Sequence, residues 1–423
     1  MNPPPIFTLL PFAAMLLAIA LLPLLFKHHW ERFYHWWALV LGSVTVGYYL
    51  FARHAATPVL HAAHEYVSFL MMVGSLFIVA GGIHLRVKGE AKPWVNVLFL
   101  AVACIVSNLI GTTGASMLLI RPWIRMNKYR VTGFHIVFFI FLVSNVSGCL
   151  TPIGDPPLFL GFLKGVPFWW VAQHCWQAWA VGVGLLLAIF FVCDTVNFRK
   201  APKPVRDYET AHETWRFGGL RNLWFLGAIL GSVFVNDPPF LREAIMLAAA
   251  LGSWFWTPKE IHNANDFTME PVKEVAWLFL GIFATMVPAL EYLQAHAASL
   301  GLHSEMQFYW ATGLLSGVLD NAPTYLSFLA TAFGLSGLDL NTGMPQFLAG
   351  HGPTLVAISV GAVFFGAMTY IGNGPNFMVK AIAERAKVET PGFFAYLLRY
   401  AVPILLPVCF LVGILFFSRW KWF

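Results

Sequence analysis

The sequence predicts an all-α polytopic membrane protein made of two inverted repeats. Each repeat has five crossings, one re-entrant hairpin and one broken helix. Three observations predict it. Hydrophobic residues make up 58% of the chain and charged residues 11%, and apolar runs of about 18 or more residues recur, each long enough to cross about 30 Å of hydrocarbon. Thr151-Pro-Ile-Gly-Asp155-Pro-Pro-Leu-Phe159 and Thr369-Tyr-Ile-Gly-Asn373-Gly-Pro-Asn-Phe377 are copies of one T-x-I-G-[D/N]-x-P-x-F pattern, placed about half a chain apart. Finally, the basic residues fall on one side of the map that follows.

Full crossings are expected near 5–26, 34–52, 66–85, 133–163, 168–193, 222–236, 239–256, 274–290, 353–383 and 397–417. The first has no basic leader and no small-residue cleavage site after it, so it reads as a span and not a signal peptide. The stretches 94–124 and 306–333 carry polar tips in their middles: Ser107-Asn108-Leu109-Ile110-Gly111-Thr112-Thr113-Gly114 and Asp320-Asn321-Ala322-Pro323-Thr324. Both read as re-entrant hairpins, because unwound backbone at membrane depth is tolerable only where it is buried or lines a wet cavity. With the N-terminus outside, all of the 26 Lys and Arg face inward except Arg53, Lys164, Arg242, Arg419 and Lys421, as the positive-inside rule requires.

This map divides into a first repeat over 1–198, a basic, Pro-containing cytoplasmic linker over 199–221 and a second repeat over 222–423. An odd number of crossings per repeat inverts the second in the membrane. The net charge of +6 is explained by this placement and gives no nucleic-acid signal. The five cysteines (Cys104, Cys149, Cys175, Cys193, Cys409) lie in apolar runs without a C-x-x-C, so neither disulfides nor a zinc site are indicated.

Asp155 and Asp320 are the acids that map deepest, and a carboxylate at such depth marks an ion or proton path. Two prolines and Gly154 prevent continuous helix around Asp155. Such a break frees carbonyls for a cation and exposes half-helix ends. The polar residues form two matching sets. Ser107, Asn108, Thr112 and Thr113 go with Asn145, Thr151 and Asp155; Asp320, Asn321 and Thr324 go with Thr369, Asn373 and Asn376. Carboxylate, amide and hydroxyl oxygens suit a small hard cation, and Asp155, Asp320, Asn108 and Thr151 are the leading Na⁺ ligands. The bland alternative for each Asp is a helix cap. His61-Ala-Ala-His64-Glu65 reads as a solvated patch in an outer loop, Glu260, Asp266 and Glu270 as part of a solvated loop over 257–273, and His135 as a hydrogen-bonded core histidine.

Inverted repeats that each carry a Ser-Asn or Asp-Asn hairpin and a Gly/Pro-broken helix resemble the ion transporter superfamily. Its citrate-transporter-like branch includes NhaD-type sodium/proton antiporters, arsenite-efflux-type proteins and divalent anion/sodium symporters. Ser107-Asn108 matches the start of the Ser-Asn-Thr motif, with Leu109 where the threonine would stand and Thr112 and Thr113 nearby. Asp320-Asn321-Ala322-Pro323-Thr324 resembles the Asp-Asn-x-Pro-Thr form of the antiporter branch, and Asp155 and Thr151 match its acid-bearing break. The second Ser-Asn-Thr of the dicarboxylate symporters is missing. The resemblance implies a secondary transporter, first a sodium/proton antiporter that exchanges Na⁺ for H⁺ at Asp155, with a cation- or proton-coupled citrate/carboxylate transporter as the alternative. Bound citrate would crowd negative charge against Asp155 and Asp320. An intramembrane enzyme would need a nucleophile or metal triad in the spans, and none is recognisable. The expected partners are lipid and a small cation. No cofactor is expected beyond the transported ions, a homodimer is compatible, and the expected location is a bacterial inner membrane.

Overall fold

The computed structural model describes residues 3–86, 92–200, 216–235 and 237–418. Among these residues the regular structure is helical apart from one antiparallel pair of three-residue strands, β1 (His84–Arg86) and β2 (Arg216–Gly218). Eight helical stretches among the described residues are long and apolar enough to cross a membrane. Together with the composition, they make the protein an integral, multi-pass, all-α membrane protein.

In chain order the helices are α1 (Leu10–Leu25), α2 (Lys27–Gly47), α3 (Thr57–Gly81), α4 (Pro93–Met126), α5 (Gly133–Leu142), α6 (Pro156–Leu163) and α7 (Phe168–Lys200). There follow α8 (Asn222–Ser232), α9 (Leu241–Trp256), α10 (Lys259–Ala264), α11 (Glu270–Ala295), α12 (Glu305–Ser316), α13 (Asn321–Ser336), α14 (Met344–Phe365), α15 (Gly374–Arg385), α16 (Phe393–Tyr396) and α17 (Leu406–Phe417). Two π-helical turns, Tyr48–Ala52 and Leu397–Leu405, extend α2 and lead into α17.

The helix α4 is long enough to span by itself, yet it folds back. A straight helix would hold Asn96 and Asn127 about 45 Å apart; instead Asn96 Nδ2 donates to Asn127 Oδ1 at 2.8 Å. The reversal is at Gly111, whose φ of 76° suits glycine and few other residues. The second hairpin, α12–α13, also returns: Gln294, ahead of it, donates to the carbonyl of Leu338, just beyond it, at 2.8 Å.

The helices sort into two bodies. A frame contains α1, α2, α3, α8, α9 and α11. Its pairs α1–α2, α2–α11, α1–α11 and α3–α11 become α8–α9, α9–α3, α8–α3 and α11–α3 when the two triplets are exchanged, and all of these contacts are present. The hairpins, the broken spans, α7 and α17 form the second body, which meets the frame mainly at α3–α4 and α11–α13. Ion pairs between distant elements fit this assignment of sides: Arg53 pairs at 2.9 Å with Glu291, just past the outer end expected for the 274–290 crossing, Lys164 pairs with Glu65 at 2.6 Å outside, and Arg121 with Asp266 at 3.6 Å inside.

Several expected boundaries shift. The helix α3 begins at Thr57 with Pro58 in its first turn, so His61, His64 and Glu65 are helical and not in a loop. The helix α2 begins seven residues earlier than expected, at Lys27. The pair at 222–256 is short: α8 has 11 residues and α9 has 16, with Pro238-Pro239 in the connection between them. Of the linker, 201–215 lies outside the described residues.

Candidate functional site

Each broken span uses its copied motif in the same way. In the first, α5 ends at Leu142, a 3₁₀ turn covers Val146–Leu150, and the chain is extended at Thr151 and Asp155 before α6. In the second, the 3₁₀ turn is Gly366–Met368, with Thr369 and Asn373 extended before α15. Pro156-Pro157 and Pro375 begin the half-helices, where a missing N–H costs nothing. Asp155 and Asn373 therefore stand at the start of a half-helix, yet neither side chain caps it.

The threonine of each motif pins the break to the adjoining hairpin tip. Thr151 Oγ1 donates to the carbonyl of Asn108 at 2.7 Å, and Thr369 Oγ1 to that of Gly317 at 2.8 Å. The tips reply from their backbone: Thr112 N–H donates to Gly154 O at 2.7 Å and Asn321 N–H to Gly372 O at 3.1 Å. Backbone left unpaired by four helix breaks is satisfied mutually, as burial requires.

Both half-sites then converge on one group. The Asp155 carboxylate, 1% exposed, accepts from Thr112 Oγ1 at 2.6 Å and Asn373 Nδ2 at 2.8 Å on Oδ1, and from Asn321 Nδ2 at 2.6 Å on Oδ2. The first hairpin, the second hairpin and the second break each contribute one donor. All three are neutral. A second link across the halves joins Asn145 Nδ2 to Asn376 Oδ1 at 2.6 Å, and Asn376 Nδ2 donates to the carbonyls of Gly366 and Thr369.

The other candidate residues have more local partners. Asn108 donates to the carbonyls of Cys104 and Ser147 and accepts from Leu150 N–H. Ser107 donates to Ser147 Oγ at 2.6 Å. Thr324 Oγ1 donates to the carbonyl of Asp320, and half-buried Thr113 lines a cavity beside Asp155. Asp320, also half-buried, accepts from Ala322 N–H at 3.0 Å and caps its own helix; the next residue, Asn321, is the one that reaches Asp155.

The cavity beside Asp155 has a volume of about 20 Å³ and is bounded by the Gly111–Gly114 tip, the 152–156 break and α3. That is room for one water-sized occupant. Two buried amide oxygens in this region, Asn145 Oδ1 and Asn321 Oδ1, have no hydrogen-bond partner among the described residues. Both amides crowd the second break so closely that a Cβ on Gly366 would lie 3.0 Å from Asn145 Oδ1 and 3.2 Å from Asn321 Nδ2. With Asp155 they offer carboxylate and amide oxygens to a small cation.

One buried cluster was missed by the sequence reading, which ended a crossing at 193. Asp194 is fully buried on α7. It pairs with Arg130 through both oxygens and accepts from Asn96 Nδ2 at 2.8 Å, and His135 Nε2 lies 3.1 Å away. Asn96 and Asn127 join the two legs of the first hairpin here, so the cluster fixes the base of that hairpin against α5 and α7. Asp194 stands as the one acid in a 33-residue helix, a signal that the hydropathy reading passed over.

Compared with known families, residues 2–417 match the family described as "Putative citrate transport". The chain belongs to that family. No curated protein matches it. With the helical membrane architecture, membership of this citrate-transporter-like family makes the protein a secondary transporter.

Proposed function

We propose that this transporter exchanges Na⁺ for H⁺, with Asp155 as the group that carries either ion. The observation that carries this reading is the convergence on Asp155 of three neutral donors, one from each of the other polar interruptions, beside a cavity the size of one water. Among the described residues no Lys or Arg donates to this carboxylate, so a proton or a cation is its natural charge partner. A bound carboxylate substrate would instead add like charge in a low-dielectric site. In the cation-loaded state Asn145 Oδ1 and a turned Asn321 amide supply neutral oxygens, and protonation of Asp155 removes the charge that holds the ion. The two halves, 1–198 and 222–423, act in this reading as inverted repeats about 199–221, which the exchangeable helix contacts support. The expected location is a bacterial inner membrane.

The family's description favours a second reading, in which a cation at Asp155 drives uptake of citrate or a related carboxylate. Dye-monitored proton flux in proteoliposomes separates the two. Sodium pulses without citrate should move protons, and Asp155→Asn should end that response. Proton movement that requires citrate would overturn the first reading in favour of the second.

A further inference from the structure

Two cavities lie along one seam. The cavity beside Asp155 takes Met72, Val73 and Leu76 from α3 and Pro156 and Phe159 from α6. A second cavity, of about 370 Å³, takes His61, His64 and Glu65 from the outer part of α3 and Phe162 and Leu163 from the far end of α6, with Arg242 beside them. The same two helices thus line both. Glu65 and Val73 are about 12 Å apart along α3, and α6 rises about 10 Å between its ends. Halfway along, Phe69 and Phe159 face each other across the seam with ring centroids 6.4 Å apart.

One ion pair crosses the seam at its outer end. Lys164, directly after α6, donates from Nζ to Glu65 Oε1 at 2.6 Å and to Asn341 Oδ1 at 3.1 Å. The two charged side chains are only 8% and 13% exposed. Glu65 belongs to the frame; Lys164 belongs to the body that holds Asp155, and Asn341 follows the second hairpin. A buried ion pair contributes little net stability, because desolvation offsets most of the Coulomb gain, and apolar residues of similar shape would hold a static contact as well. Its best-attested use is to set one of two registers, and here it sits between the two bodies at the mouth of a path that leads to Asp155.

We propose that the seam between α3 and α6 is the outer access path to Asp155, and that Lys164–Glu65, with Asn341, is the latch that closes it. The proposal rests on the reading of Asp155 as the transport site. With the latch closed, Phe69 and Phe159 form the apolar constriction between outer vestibule and ion cavity. With it open, Glu65 is freed into the vestibule and presents a carboxylate to incoming cations.

The test is the rate at which Val73→Cys, a near-isosteric reporter in the inner cavity, reacts with a membrane-impermeant maleimide added from outside. Each latch variant is measured with and without the reporter, so that the native cysteines supply the background. Lys164→Met and Glu65→Gln should each raise the rate about tenfold, the change released by about 1.4 kcal/mol. The reversed pair, Lys164→Glu with Glu65→Lys, should return it to within about twofold of the parent. Unchanged rates in both single variants, or a reversed pair as fast as the singles, would overturn the latch. If Lys164→Met does not fold, the shape-preserving Glu65→Gln decides. Reporter rates that respond as expected in a parent that shows no Na⁺-driven proton flux support the latch while removing the sodium reading.

Discussion

The two broken spans share a backbone and differ in charge. Thr151 and Thr369 make the same bond to the neighbouring hairpin, and Gly154 and Gly372 accept from the two tips in the same way. At the matching position one carries Asp155 and the other Asn373, 2.8 Å from it. The tips differ in side chain but not in charge: Thr112 gives a hydroxyl to Asp155 and Asn321 gives an amide. The first half therefore supplies the carboxylate and one neutral donor, and the second half supplies the other two donors. A repeated scaffold can place two loops together in register while the chemistry is concentrated in one of them.

The largest effect should come from removing the difference. Asp155→Asn makes both breaks neutral and is expected to abolish ion-coupled proton flux in proteoliposomes, with normal size-exclusion behaviour. Flux that persists would mean that the charge difference is incidental. Exchanging the residues, Asp155→Asn with Asn373→Asp, keeps one acid and one amide in the same pocket. It should restore measurable flux over the single variant; a folded exchange variant as inactive as Asp155→Asn would show that the first break matters for its surroundings and not for its charge.

Smaller changes test the donors. Asn321→Ala deletes a hydrogen bond to a charged acceptor, worth about 1.5–3 kcal/mol. Because the loaded state also loses the oxygen that the turned Asn321 amide supplies, the half-saturating Na⁺ concentration should rise about tenfold, measured by the same dye response. Asp320→Asn should do least. Asn caps a helix about as well as Asp, and Asp320 bonds its own helix, so flux and thermal stability should both stay within about twofold and about 0.5 kcal/mol of the parent. A loss comparable to that of Asp155→Asn would make Asp320 a second ion-carrying acid.

These contrasts mark what the sequence could and could not disclose. Gly, Pro and polar residues interrupting apolar runs located both hairpins and both breaks, because such interruptions are affordable in a membrane only where other backbone answers them. Which side chain of Asp320-Asn321 faces Asp155 was not legible: Asp320 is the cap and Asn321 the first helical residue, and the residue at which a helix begins is not fixed by the pattern of the sequence. Asp194 was missed because the apolar run stops beside it. Hydropathy then reads an interface, while its real surroundings come from Asn96, Arg130 and His135, all more than 50 residues away in the chain. His61, His64 and Glu65 looked like a loop because polar residues open α3; their helical spacing gathers them on the cavity wall.

The contact between Asn373 and Asp155 also bears on how such a molecule can be assembled. Two copies of the first half would press two carboxylates together at this distance, where like charges force them to share a proton. Two copies of the second half would place an amide in both breaks and leave no carboxylate at this contact. One carboxylate facing one amide at this contact thus demands unlike halves. If the chain were cut between 199 and 221, only the mixed pair of fragments, never either fragment with itself, would rebuild one charge among three neutral donors.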